Sequence, residues 1–192
     1  SPAVLIPRPE TELLVETALA YAASDGTQVL DLGTGSGCIA ITLGLGRSSW
    51  RVIASDVSSQ ALGVARDNAN KWQAKNVTFR LGIWFSAVPA QRFDLIVSNP
   101  PYVAEGDPHL EALRFEPTNA LVAEDNGLAC LQTIIDGAPS HLVTGGLLVL
   151  EHGHDQAHAV RNMFATRGWS DVQTRTDPAG LDRVTFGRSS GV

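Results

Sequence analysis

Four short apolar runs, QVLDLG from Gln28, RVIASD from Arg51, NVTFRL from Asn76 and FDLIVSN from Phe93, recur with helical segments between them. This alternation constrains the fold more than any other feature, because short strands separated by helices pair into a parallel sheet. The stretch ETELLVETALAYAA places Leu13, Leu14, Thr17, Ala18 and Tyr21 at helical spacing behind an acidic first turn, which predicts a helix over Glu10 to Ala23. CIAITLGL reads as a buried helix, and SSQALGVARDNANKW presents Ala61, Leu62, Ala65 and Ala69 as one helix face. With 192 residues the chain is long enough for one sizeable α/β core and short for two.

The second half continues the pattern after an interruption. Residues 104–126 are rich in Pro, Glu, Asp and Asn and read as a long loop with one short helix, a length that usually marks function. A helix over Leu128 to Leu142, broken or bent near Pro139, should follow, then the strand GGLLVLEHG from Gly145 and the helix DQAHAVRNMFATRG, stopped by Gly168. WSDVQTRTD and RVTFGR alternate at period two around a DPAGLD turn, so the sheet should end in a hairpin-like pair with one antiparallel strand. The final RSSGV is expected to fray.

Charge and cysteine usage narrow the partners. The formal net charge is −6 and Lys71 and Lys75 are the only lysines, which argues against a broad phosphate-gripping surface and against direct nucleic-acid binding. No apolar run approaches the ~18 residues of a membrane span, so no membrane partner is expected. Cys38 and Cys130 are too few and too far apart for a metal site and read as reduced, in keeping with a cytoplasmic location. The five histidines form no metal-ligating spacing; His154 and His158 read as a solvated pair on one helix face. Trp50, Trp72 and Trp169 are expected to pack in the core or between helices. Without a long exposed apolar helix or a heptad, a monomer is expected.

DLGTGSG, from Asp31 through Gly33, Thr34, Gly35 and Ser36 to Gly37, joins a strand to a helix. Residues without Cβ turn tightly and let the backbone approach a ligand, while the helix that follows offers free N–H groups. Asp31 precedes the first glycine, where a carboxylate suits a cationic or amine-bearing ligand better than a phosphate. Asp56 ends the next strand, the place where an acidic side chain accepts hydrogen bonds from ribose hydroxyls. Together they favour a positively charged nucleoside, and S-adenosylmethionine fits. The alternative, a tight turn with both aspartates capping helices, remains open at this point.

IVSNPPYV poses a second question of chemistry. Pro100 and Pro101 fix φ and remove two backbone donors, leaving carbonyls that only accept. Asn99 adds a side-chain acceptor and Tyr102 an apolar wall. Such a corner suits a planar –NH2 group whose lone pair is delocalised: two acceptors on its hydrogens orient it and raise electron density on nitrogen. A Pro-Pro turn with Asn99 bonded to its own loop is the structural alternative.

Taken over nearly the whole chain, LIPRPETELLVE, VLDLGTGSGCIAI, IASDVSSQAL, WFSA, FDLIVSNPPYV, RFEPTNALVAEDNGL, GGLLVLEHG and AGLDRVTFGR resemble the HemK/PrmC family of class I methyltransferases. That family methylates the glutamine of the GGQ motif in peptide-chain release factors. The resemblance implies a Rossmann-like sheet of seven strands in the order 3-2-1-4-5-7-6, and S-adenosylmethionine as methyl donor with S-adenosylhomocysteine as product. It implies that Gly33 to Gly37 surround the methionine moiety, Asp56 holds the ribose, Trp84 lies beside the adenine, and Asn99, Pro100, Pro101 and Tyr102 hold the substrate glutamine. Arg8 to Thr11 would lie near the cofactor entrance. Glu116 and Glu151 either line the pocket or bond loop backbone.

Two departures accompany it. Members often carry an acidic residue just before the Trp, able to accept from the adenine amino group, and here the position is Ile83. Members also have a small helical N-terminal domain, so residues 1–25 are expected to form a leading segment and helix linked to a missing or removed domain. Residues 26–188 would form the catalytic domain and 189–192 a disordered tail. A slot of this kind would also serve a ribosomal-protein glutamine or a DNA adenine amino group, and a non-catalytic nucleoside-binding module is the alternative of another class.

Overall fold

The structure, a computed structural model, describes residues 3–22, 24–111 and 115–191. In chain order its elements are α1 (Glu10–Tyr21), β1 (Gln28–Leu32), α2 (Cys38–Gly46), β2 (Arg51–Asp56), α3 (Ser59–Trp72), β3 (Val77–Leu81), β4 (Phe93–Ser98), β5 (Val103–Ala104), β6 (Val122–Ala123), α4 (Ala129–Gly137), β7 (Leu142–Glu151), α5 (Ala157–Thr166), β8 (Ser170–Thr176) and β9 (Asp182–Arg188). Short 3-10 turns occur at Trp84–Ala87, Pro108–Glu111, Thr118–Ala120 and Ala138–His141.

The apolar runs are strands because both of their faces are covered. Side chains alternate across a strand, so one run feeds two cores. Val29, Leu95, Val97, Leu147 and Val149 meet Leu14, Ala18, Ile39 and Leu43 of α1 and α2 on one side. Leu30, Leu32, Ile96, Leu148 and Leu150 meet Leu131, Ile134, Ile135, Val160 and Phe164 of α4 and α5 on the other. The strand order is β3-β2-β1-β4-β7-β9-β8. With the two-residue β5 and β6 set apart as their own parallel pair, this is the expected 3-2-1-4-5-7-6 arrangement. β9 alone runs antiparallel to both of its neighbours.

Several boundaries differ from the sequence reading. α1 is described to Tyr21, and Ala23 lies outside the described residues. The helix expected over Leu128 to Leu142 stops at Gly137 and tightens into a 3-10 turn around Pro139, whose missing N–H cannot continue it. β7 then starts at Leu142 rather than Gly145, because Leu142 pairs with Phe93 ahead of a register shift. The long loop holds β5, β6 and two 3-10 turns instead of one short helix, with residues 112–114 outside the described set. α5 begins at Ala157, so His154 does not share a helix face with His158. Ser189, expected to begin a frayed tail, exchanges backbone hydrogen bonds with Gly145 and Gly146; Val192 lies outside the described residues.

Trp50 and Trp169 are buried as expected, but Trp72 is 61% exposed. It is the last residue of α3, and the chain turns away at Gln73 (φ 55°) before the ring reaches the core. The Lys71 ammonium lies 6.0 Å from its ring centroid instead. Among the described residues no helix is long and apolar enough to cross a membrane.

Candidate active site

The chain runs from β1 outward to β2 and β3, then returns to the other side of β1 with β4. Such a reversal opens a crevice at the carboxyl ends of the strands, where open α/β sheets bind ligands. Asp31, Asp56, Ser98 and Glu151 all stand at those ends. The Ser98 hydroxyl donates to the Leu32 carbonyl at 2.7 Å and ties the ends of β4 and β1 together.

The glycine loop sits over this edge. Thr34 N–H donates to the Ser55 carbonyl at 2.9 Å, and Gly35 N–H to Asp56 Oδ2 at 2.9 Å. Gly37 caps α2 at φ 81°, and a Cβ there would meet Ile41 Cδ1 at 3.0 Å and Ala65 Cβ at 3.1 Å. Both the left-handed backbone and the close approach of α3 therefore require glycine. A Cβ on Gly33 would lie 3.7 Å from the Trp84 ring, so the loop and Trp84 face one another. Trp84 itself has φ 44°. A non-glycine residue in that region is uncommon and signals a functional or structural constraint.

The two aspartates differ in surroundings. Asp31 is fully buried, and its Oδ2 accepts from the Thr34 hydroxyl at 2.6 Å, while Oδ1 has no partner among the described residues. Burial pushes its carboxyl up from 3.8 to about 7, partly opposed by the Thr34 hydroxyl and the Ala40 N–H and reinforced by Asp56. Asp56 is half-buried, and besides Gly35 it accepts from Ser58 N–H at 2.8 Å through Oδ1. A carboxylate has about four lone-pair sites, so capacity remains for two hydroxyl donors. Around the ends of β2 and β3 the exposed large apolar side chains are Val57, Leu81 and Ile83. An orphaned buried acceptor, a carboxylate with spare lone pairs and an apolar shelf beside Trp84 fit an amine, a vicinal diol and a flat ring.

Asn99 leaves the end of β4 and Pro100 is buried behind it. Asn99 Nδ2 donates to Thr11 Oγ1 at 3.1 Å, joining the corner to the first turn of α1. The Tyr102 hydroxyl donates to Glu151 Oε1 at 3.1 Å. Burial first, then the Glu151 charge, pushes the Tyr102 phenol above its ordinary range. Glu151 is fully buried and its carboxyl is likewise raised by burial, with the Thr11 and Tyr102 hydroxyls opposing. The Tyr102 carbonyl accepts from Gln156 Nε2 at 2.9 Å, and Gly127 packs directly beneath it. These contacts hold the corner from three sides.

A groove of about 410 Å³ opens in front, with Asn99, Pro100 and Tyr102 on one wall, Arg8, Glu10 and Arg183 on another, and Leu5, Val103 and Leu121 completing it. Its charges are largely paired: Arg8 with Glu116, and Arg183 with Asp177 at 3.0 Å. Glu116 also accepts from Ile6 N–H at 3.0 Å, so it bonds loop backbone and straps the leading segment to the 104–126 loop. Arg8 to Thr11 thus stand at the Asn99 corner. A larger hollow of about 470 Å³ lies by Tyr21, Thr27, Asp94 and Arg188, at the amino ends of β1 and β4. Asp94 there is taken by Gln28 N–H, and Arg188 by the Gly145 and Tyr21 carbonyls.

The glycine loop, Asp31, Asp56, Trp84 and residues 99–102, each a candidate from its sequence motif, come to one edge in two adjoining groups. Gln156, Gly127 and Arg183 stand in no such motif, because their roles arise from contacts far along the chain. Glu151 carried a signal in its place at a strand end, and the β4–β7 register that pairs Ser98 with Leu150 brings it level with Asn99.

Residues 9–115 match the methyltransferase small domain family. The chain is 52% identical to a release factor glutamine methyltransferase of Neisseria gonorrhoeae, over 98% of this chain and 70% of that protein. It is 50% identical to a protein of the same name from Salmonella typhimurium, over 98% of this chain and 69% of that one. Among solved structures, a methyltransferase from Pyrococcus furiosus superposes with a TM-score of 0.73 at 20% identity, covering 100% of this chain and 87% of that one.

Proposed function

The chain belongs to the release factor glutamine methyltransferase family, and from that premise we propose that it methylates the side-chain amide nitrogen of the GGQ glutamine in a peptide-chain release factor. The donor is S-adenosylmethionine, held by Gly33 to Gly37, Asp31, Asp56 and Trp84. When bound, it supplies an electrophilic methyl group and leaves as S-adenosylhomocysteine. Asp31 Oδ1, buried without a partner, is the acceptor for its amino group.

The observation that carries the reading is the Asn99 corner. An amide nitrogen is a weak nucleophile because its lone pair is shared with the carbonyl. Asn99 turns its NH2 to Thr11, which leaves Oδ1 for the substrate. Asn99 Oδ1 and the Pro100 carbonyl accept the two amide hydrogens, align the nitrogen and favour electron density on it. Tyr102, held by Glu151 and Gln156, closes the side of the slot. The groove's paired charges leave no free cation to favour a phosphate-bearing substrate among the described lining residues.

A mass-resolved methyl-transfer assay with full-length release factor tests this. The wild-type chain should add one methyl to the GGQ glutamine. Asn99→Ala should lower kcat by about 100-fold or more, the cost of losing an oriented acceptor in the transition state, while S-adenosylhomocysteine still binds by calorimetry. Methylation of DNA adenine with none on release factor would overturn the assignment.

A further inference from the structure

We propose that Phe85, locked between Gly137 and His141, is a positioning residue that sets the Trp84 ring against the glycine loop. The inference rests on the placement of S-adenosylmethionine given above and concerns what holds one wall of its site. An indole grips a flat ring only when its face is aimed, because stacking is lost as the two planes separate or tilt.

Trp84 opens the 3-10 turn Trp84–Ala87, and its φ of 44° is a backbone that a bulky residue adopts only when its surroundings force it. The next residue supplies the force. The Phe85 ring stacks on His141, with centroids 4.4 Å apart and planes inclined by 18°. At its edge it meets Gly137, where a Cβ would stand 2.5 Å from Phe85 Cε2 and 2.6 Å from Cδ2. Any side chain larger than hydrogen would push the ring out. Gly137 itself has φ −83° and ψ −29°, ordinary helical values, so the position needs space and not backbone freedom. The 3-10 turn through Pro139 brings His141 back beside it, with His141 Nδ1 3.2 Å from the Gly137 carbonyl. A carbonyl only accepts, so Nδ1 carries the proton there and the imidazole plane against the phenyl ring is set. At the other end of the turn, Gly82 N–H donates to the Asp56 carbonyl at 3.0 Å, and a Cβ on Gly82 would stand 2.9 Å from Ala87 Cβ. Held at both ends, the turn presents Trp84 to Gly33, whose Cβ position lies 3.7 Å from the indole. The end of α4 thus reaches the glycine loop through two consecutive side chains.

The test uses the full chain and S-adenosylhomocysteine, comparing wild type, Gly137→Ala, Phe85→Leu and the double variant. Two readouts run together: Kd by calorimetry, and the Trp84 share of the tryptophan emission, assigned by its loss in Trp84→Leu and read with and without ligand. Gly137→Ala and Phe85→Leu should each weaken binding by about 10-fold, the scale of a partly lost stack, and should shift the Trp84 emission before ligand is added. In the double variant the added methyl finds room beside the smaller leucine, so binding should be no weaker than in Phe85→Leu. A merely structural role would leave the Kd of the folded chain and the emission unmoved. If Gly137→Ala and Phe85→Leu keep wild-type Kd and emission, or if Gly137→Ala weakens binding as much beside leucine as beside phenylalanine, the proposal is wrong. Should Gly137→Ala fail to fold, Phe85→Leu decides it by the same two readouts. A wild-type chain that binds S-adenosylhomocysteine but leaves release factor unmodified would defeat the methyl-transfer reading alone. One whose Trp84 emission ignores the bound ligand would overturn this proposal and leave that reading standing, and one that does not bind the ligand at all would overturn both.

Discussion

Gly127→Ala offers a sharp test of how the corner is held. Gly127 follows Asp125 and Asn126, all three with positive φ, and its own φ is 83°. A Cβ placed on it would stand 2.1 Å from the Tyr102 carbonyl oxygen and 2.7 Å from Gln156 Nε2. Two costs are therefore superposed. The left-handed backbone costs an alanine about 1–2 kcal/mol. The clash, about 1 Å inside an ordinary contact, forces Tyr102 and Gln156 apart, adding about 1–3 kcal/mol of overpacking and lost hydrogen bonding. Gly26→Ala separates them, because Gly26 has φ 77° with nothing within 4 Å of its Cβ position. Urea denaturation should show Gly26→Ala losing about 1–2 kcal/mol and Gly127→Ala about 2–5 kcal/mol in all. In the methyl-transfer assay Gly26→Ala should keep full activity. Gly127→Ala should lose about 100-fold in kcat, since a shift near 1 Å at a positioning group has that effect. Equal stability losses for the two variants, or full activity of Gly127→Ala, would show that the Gln156–Tyr102–Gly127 contact does not position the corner.

Two further predictions concern the cofactor edge. With the Asp31 carboxyl raised from 3.8 to about 7, the folded chain holds a proton between those values that the unfolded chain has released. The ligand-free protein should therefore lose stability as pH rises through that window, by up to ~4 kcal/mol, and Asp31→Asn should flatten the profile in thermal melts at pH 4.5 to 7.5. Affinity for S-adenosylhomocysteine should run the other way, strengthening up to about pH 7 as Asp31 ionises to meet an ammonium, and a pH-independent Kd would count against that contact. Ile83 is 59% exposed beside Trp84. Ile83→Asp should tighten S-adenosylhomocysteine binding by about 3- to 10-fold if the adenine amino group lies there; calorimetry showing equal or weaker binding would move the adenine elsewhere.

The parts of this protein that were readable in advance are those whose cause is local. QVLDL, RVIASD and FDLIVS read as strands because each is apolar and bounded by turn residues, and the two cores confirm that both faces are covered. Gly37 was readable because a strand-to-helix turn requires its backbone. An interruption near Pro139 was readable, although the end of α4 at Gly137 and the start of β7 at Leu142 were not, the latter because it depends on pairing with Phe93. Trp72 was misread because helical spacing says which face a residue occupies and not how far the covering sheet extends.

Local chemistry along the chain thus determined the alternation of strands and helices, the turn at the glycine loop and the rigid Asn99–Pro100–Pro101 corner, because periodicity, missing Cβ atoms and missing N–H groups act within a few residues. The tertiary structure alone decided the partners of that corner. Asn99 meets Thr11 across 88 residues and Ile6 meets Glu116 across 110, while Tyr102 lies 49 residues from Glu151 and 54 from Gln156. Such pairs leave no periodic trace, since a single side-chain hydrogen bond places no demand on its sequence neighbours. They come together only because the strand order sets β4 between β1 and β7, which brings α1, the end of β7 and the loop before α4 against the same four residues.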